Sequence, residues 1–162
     1  MKIYLSHRAD EKSTVSDISR RFGLIPIPDE AVFEEAMPAA CVSGGDISEY
    51  LRNLARNGMT REIFIPRHIR RFSMPSGNAD GEKIPLRELS ALLWQNDAKI
   101  FYSPQMILNY FFFREGASGI GYVLFDDARS ISEKLRLAKK LGFENAYLSY
   151  HNICDIIRDI ML

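Results

Sequence analysis

Val123-Leu124-Phe125-Asp126-Asp127-Ala128-Arg129-Ser130-Ile131, continuing through Lys134-Leu135 to Leu141-Gly142-Phe143, is the stretch whose reading decides the fold of this chain. Gly121 to Phe125 is β-prone, and the two aspartates break it. Ser130 with Glu133 has the spacing of a capping box, and Ile131, Leu135, Ala138 and Leu141 then recur on one apolar helical face until Gly142 stops the helix. A strand follows over Ala146 to Tyr150, and a last helix over Ile153 to Met161. Strand, helix, strand, helix is the grammar of a βα-repeat protein, so the fold class is α/β.

Working outward, Lys2 to Leu5 suits an edge or first strand, and Ser13 to Phe22 a helix capped by Ser13 or Thr14 and ended at Gly23. Leu24 to Pro28 is a connection or edge strand, because Pro26 and Pro28 cannot occupy a helix interior. Asp29 to Met37 reads as a short helix, Ala39 to Val42 as a strand and Ser43-Gly44-Gly45 as a turn. Asp46 with Glu49 caps a helix that runs to Gly58. Arg61 to Pro66 reads as a strand, Ser73 to Gly81 as a flexible loop, and Pro85 opens a helix through Trp94. Lys99 to Tyr102, Asn109 to Arg114 and Gly121 to Phe125 make a small antiparallel sheet.

The chain has 162 residues, 46% of them hydrophobic, enough for one domain with a sizeable core. Its 21 basic and 21 acidic side chains balance, so no global field favours nucleic acid or an anionic membrane, and neither is expected as a partner. No apolar run is long enough for a signal peptide or a membrane span, which predicts a cytoplasmic protein. Cys41 and Cys154 lack metal-ligand spacing and read as buried thiols.

The segment Val123 to Ile131, with Lys134-Leu135 and Leu141-Gly142-Phe143, resembles the late part of family 18 glycoside hydrolases, especially their bacterial spore-cortex and chitinase-like branch. In that family an aromatic-acid-Asp turn opens the penultimate barrel helix and a glycine turn leads into the last barrel strand. Leu86 to Trp94 with Ala98 to Tyr102 is similar to the small α+β insertion these enzymes carry, and Tyr110-Phe111 and Phe113 fall on its aromatic strand. The resemblance covers roughly residues 59–162. It implies a partial TIM-barrel-like (β/α) arrangement in a single domain: an N-terminal βα part over 1–58, a barrel-like part over 59–82 and 126–162, and an α+β insertion over 83–125. Full (β/α)8 barrels run to about 250 residues, so eight units do not fit. A barrel reading requires Arg61 to Pro66 and Ala146 to Tyr150 to be parallel neighbours.

The departures bear on function. Family 18 enzymes carry an Asp-x-x-Asp-x-Asp-x-Glu strand whose glutamate protonates the glycosidic oxygen. Nothing here reproduces it, and Gly44-Gly45-Asp46-Ile47-Ser48-Glu49 is better read as helix capping. Ser149 stands where the family places a tryptophan floor, with Tyr150 beside it, and Tyr102-Ser103 replaces a Tyr-Asp pair. The resemblance therefore implies a non-catalytic, truncated protein, spore-associated as in that branch, that binds a peptidoglycan- or chitin-type glycan or serves as an assembly subunit. Two alternatives stand beside it: an active glycosidase with a relocated acid, and an intracellular interaction module. Ser13 to Gly23 after the first strand also resembles the start of a LysM module, which often precedes such enzymes.

Candidate ligand-binding residues are Tyr102, Asp126, Asp127, Tyr150 and His151, with no catalytic residue, metal ligand or cofactor assigned. Asp126 and Asp127 read either as a paired-carboxylate site or as the acidic field at a helix start. His151 would lie at the strand end where barrel chemistry gathers, or serve as a surface histidine. The cluster Arg61, Arg67, His68, Arg70 and Arg71 reads as a solvated face. A partial barrel leaves strand edges bare, so a homo-oligomer or a partner protein covering them is expected.

Overall fold

A computed structural model describes residues 1–32, 45–56, 61–74, 81–116 and 119–162. The chain opens with β1 (Lys2–His7), α1 (Lys12–Phe22) and β2 (Ile25–Pro28). Then come α2 (Ile47–Arg56), β3 (Glu62–Phe64), β4 (Ile69–Met74), β5 (Glu82–Lys83) and α3 (Leu86–Gln95). The remainder is β6 (Phe101–Ser103), β7 (Leu108–Glu115), β8 (Gly119–Phe125), α4 (Ala128–Lys140), β9 (Asn145–Ser149), α5 (Tyr150–Ile153) and α6 (Ile157–Met161).

These strands form two sheets. The first is parallel, ordered β2-β1-β9-β3. Its first and last strands pair through Ile3 with Ala146 and Leu5 with Leu148, and Ile63 flanks Ala146 on the other side. The stretches around Ile63 and Ala146 are thus parallel neighbours, as a barrel requires. A ring of consecutive βα units closes by pairing its first strand with its last. Among the described residues the order is therefore that of the closing seam of such a ring, with two strands on each side.

Alternation along these strands makes two faces. Leu5, Ile63, Ile65, Ala146 and Leu148 share a core with Val15 of α1, Ile47 and Leu51 of α2, Ile131, Leu135 and Ala138 of α4, and Ile157 and Ile160 of α6. Each large side chain so buried stabilises the fold by about 1.5–3 kcal/mol relative to exposure. On the other face Tyr4 and Tyr147 stack with ring centroids 4.8 Å apart. Glu62 accepts hydrogen bonds from the Tyr147 hydroxyl (3.2 Å) and from Asn145 Nδ2 (3.1 Å). Burial, reinforced by Glu62, pushes the Tyr147 phenol up to about 12.

The second sheet is antiparallel, ordered β5-β4-β8-β7-β6. One face, with Phe111, Phe113, Val123 and Phe125, packs on Leu89 and Leu92 of α3. Gly121 lies opposite Phe113, and a Cβ there would collide with the ring. The expected antiparallel sheet is present but larger, because it also takes in β4 and β5. Ile69–Met74 and Glu82–Lys83 thus pair within this sheet and not with the parallel one. Arg70 and Arg71 hid that strand, because two adjacent cations read as solvated surface. In the fold Arg71 is satisfied by Glu88 (3.3 Å) and Glu115 and lies over Phe113.

Several local expectations change. α1 continues from a 3-10 turn at Ala9–Glu11 instead of starting at Ser13, because Glu11 accepts from the Arg8 backbone N–H at 2.9 Å. It ends at Gly23, whose φ of 67° suits glycine. β1 is an interior strand of the parallel sheet, so the N-terminal strand and helix are part of the barrel-like layer and not a separate LysM-like module. Asp29–Ala31 is a single 3-10 turn ending in an extended Val32, and the rest of the helix expected to Met37 lies outside the described residues. So do the strand at Ala39 to Val42, Ser43, Gly44, Cys41 and Gly58. Ser73 and Met74 belong to β4, and residues 75–80 of the expected loop also lie outside. The last helix is broken into α5 and α6 by a turn at 154–156, which leaves Cys154 exposed and not buried. Trp94 is 88% exposed.

Candidate functional site

The two sheets are joined by two chain crossings, from β3 to β4 and from β8 to α4, and Asp126 fastens them together. Its backbone N–H donates to the His68 carbonyl (2.7 Å), and its carboxylate accepts from the His68 N–H (2.9 Å). The same carboxylate accepts from Ser130 Oγ (2.6 Å) and from Lys134 Nζ (2.7 and 2.9 Å). Asp126 is fully buried and Lys134 nearly so. Every acceptor position of this carboxylate is engaged, and its charge is neutralised by a buried cation. His68, whose pKa is lowered to about 4 chiefly by burial against the pull of Asp126, borders the same junction as a neutral imidazole.

Asp127 has the second of the two roles open to it. It is the N-cap of α4, accepting from the Ser130 N–H at 2.8 Å, while Ser130 Oγ accepts from the Asp127 N–H at 3.0 Å. The capping box expected at Ser130 and Glu133 therefore begins three residues earlier, because Asp127 is the better-placed acceptor.

Glu133, released from capping, accepts from the Tyr102 hydroxyl and from Arg129 Nε (2.9 Å), while the Arg129 guanidinium lies 4.5 Å over the Tyr102 ring. Burial and the bond to Glu133 push the Tyr102 phenol upward. Burial opposes ionisation of Glu133, but the hydrogen bonds from Tyr102 and Arg129 outweigh it and hold its carboxyl below the ordinary range. Tyr102 and Asp127 thus meet around the start of α4. Tyr150 and His151 lie elsewhere, at the C-terminal end of β9, where His151 Nδ1 is 3.7 Å from Glu11. Burial raises the Tyr150 phenol. The five candidate residues do not form one site.

What the fold adds is an aromatic face on the second sheet. Strand alternation turns Phe101, Tyr110, Phe112 and Tyr122 away from α3. Their rings form a chain of contacts: Phe101–Tyr110 at 5.5 Å, Tyr110–Phe112 at 5.7 Å, Phe112–Tyr122 at 6.1 Å and Tyr122–Phe72 at 4.6 Å. Phe112 is 55% exposed, and Met74 and Ile120 beside it 54% each. A groove of about 550 Å³ runs along this face past Tyr102, Met106 and Leu124. Only Tyr102 of the groove was legible as a site residue. The available signal was the unbroken run Tyr110 to Phe113, since a strand covered on one face needs apolar residues only at alternate positions.

Arg67 is buried against Asp155 (2.6 Å) and the Asn152 carbonyl (3.2 Å), so the basic cluster is divided among separate partners and forms no cationic patch. Among the described residues no group of three or more His, Cys, Asp or Glu side chains could hold a metal ion. None of the described helices is long and apolar enough to cross a membrane.

No protein-family model and no curated protein sequence matches the chain. Among solved structures it is similar to the spore cortex-lytic enzyme SleL of Bacillus cereus, with 23% identity and a TM-score of 0.50 over 62% of this chain and 24% of that one. It is also similar to SleL of Bacillus megaterium (15% identity, TM-score 0.53, covering 91% and 44%). A third likeness is to the class V chitinase of Nicotiana tobaccum (11%, TM-score 0.53, covering 94% and 59%). The chain thus spans between about a quarter and six-tenths of these enzymes' lengths. At the level of fold, the expected resemblance holds: this is a mixed α/β chain with a partial TIM-barrel-like parallel sheet and an antiparallel sheet beside it.

Proposed function

We propose that this chain is a carbohydrate-binding subunit without hydrolytic chemistry, its ligand a chitin- or peptidoglycan-type glycan laid along the aromatic face. The row from Phe101 to Tyr122, exposed at Phe101 and Phe112 and half-buried at Tyr110 and Tyr122, carries the reading. A contiguous patch of rings in solvent is costly unless something covers it. The C–H faces of pyranose rings suit flat aromatic surfaces, and a groove of about 550 Å³ along the row suits a short run of sugars. Absence of hydrolysis is supported by the fate of the two aspartates at the turn. Asp126 is locked by Lys134 and Asp127 caps α4, so neither is placed to deliver a proton. Co-sedimentation with insoluble chitin and with peptidoglycan tests this: retention that falls at least tenfold in Phe112→Ala is expected, and equal retention of both proteins contradicts it.

For an assembly role, the two edges of the parallel sheet differ. Alternate residues of a strand point their amides to opposite sides, and prolines have no N–H, so the donors pairing β2 to β1 come from Ile25 and Ile27. The outer edge of β2 therefore carries Pro26 and Pro28 and offers no donor to another strand. Among the described residues the other edge, β3, keeps its donors and is the one a partner strand would join.

A further inference from the structure

Arg129 stands where the aromatic groove meets a second one. Tyr102, beneath its guanidinium, lines the aromatic groove; Arg129 itself lines a groove of about 750 Å³ along α4 and α6, with Arg136, Lys139 and a single acidic residue, Asp159. Two contacts fix the guanidinium, the stack on Tyr102 and the 2.9 Å bond from Nε to Glu133, and its two terminal amines have no partner among the described residues. The Arg129 side chain is 66% exposed. A fork held in place with both prongs open matches a carboxylate in bidentate geometry, and little side-chain freedom is left to lose on binding. Arg136 and Lys139 extend the positive charge along the same helix in the second groove.

We infer that the glycan is anionic, with a sugar carboxylate paired to Arg129 as the chain passes from the aromatic groove to the cationic one. This rests on the carbohydrate reading and specifies its substrate class: uronic-acid or carboxyalkyl-ether sugars in preference to neutral ones. Calorimetric titration of the whole chain with two probes of equal length, chitohexaose and a hyaluronan hexasaccharide, separates the two readings. The hyaluronan probe is expected to bind at least tenfold more tightly at low salt, and the advantage to shrink as salt is raised. Arg129→Gln should bring it to the chitohexaose level, and Phe112→Ala should weaken both probes.

Equal affinities in the parent protein, or an advantage that survives Arg129→Gln, overturn the anionic assignment and leave the aromatic platform standing. Absence of binding by either probe overturns both. A single-stranded oligothymidylate that binds more tightly than hyaluronan also overturns it, in favour of nucleic acid.

Discussion

Lys134 Nζ lies 2.7 and 2.9 Å from the two carboxylate oxygens of Asp126, with both side chains withdrawn from solvent. This pair ties α4, which packs on the parallel sheet, to the strand end that leaves the antiparallel sheet. Removing one member of a buried pair strands the other charge, at a cost of about 3–5 kcal/mol, whereas removing both costs much less. Urea denaturation should therefore show a large loss for Lys134→Met and a smaller one for Lys134→Met combined with Asp126→Leu. A single-variant loss below about 1 kcal/mol would mean that the pair does not hold the junction.

His68 adds a pH dependence. The unfolded imidazole takes up its proton near 6.5 and the folded one only near 4, because burial disfavours its charged form. Between those values the unfolded chain binds more protons, so stability is full above pH 6.5 and falls as pH drops toward 4, by at most about 3 kcal/mol. Unfolding midpoints measured from pH 7 to pH 4 should fall in the parent, and less steeply in His68→Asn.

Asp127 separates the structural from the catalytic reading of the double aspartate. Asparagine caps a helix about as well as aspartate, and alanine does not. Asp127→Ala should lose about 1 kcal/mol while Asp127→Asn stays within a few tenths. A catalytic acid would show the opposite pattern: loss of turnover in Asp127→Asn with stability intact.

The two prolines of β2 protect its edge, so restoring N–H groups there should expose it. Pro26→Val with Pro28→Val is expected to shift the protein toward dimers or larger species in light scattering at concentrations where the parent does not change. An unchanged distribution would place the protection of that edge elsewhere.

How far the sequence revealed this can be followed residue by residue. The α4 stripe of Ile131, Leu135 and Ala138 was legible because the period of a helix is local. The pairing of β1 with β9 joins residues about 140 positions apart in the chain and had no sequence signal; the resemblance to a barrel anticipated only the neighbourhood of Arg61 to Pro66 with Ala146 to Tyr150. β4 was missed because Arg71 finds Glu88 and Glu115 only after folding. The fate of Asp126 had a local signal that was passed over. Lys134 lies three residues after Ile131 and one before Leu135, on the apolar side of its helix, and a cation there requires a buried acid. The aromatic face was harder to see, since Tyr110 and Phe112 cannot be told from Phe111 and Phe113 until α3 is known to cover one side.

The central claim is an aromatic glycan platform on a barrel fragment without hydrolysis. It is tested most directly by following chitohexaose in one sample, with tyrosine fluorescence reporting binding and chromatography reporting products. Saturable binding lost in Phe112→Ala, with the hexasaccharide recovered intact, is the predicted result; shorter sugars appearing with the parent but not with Asp127→Asn would contradict it.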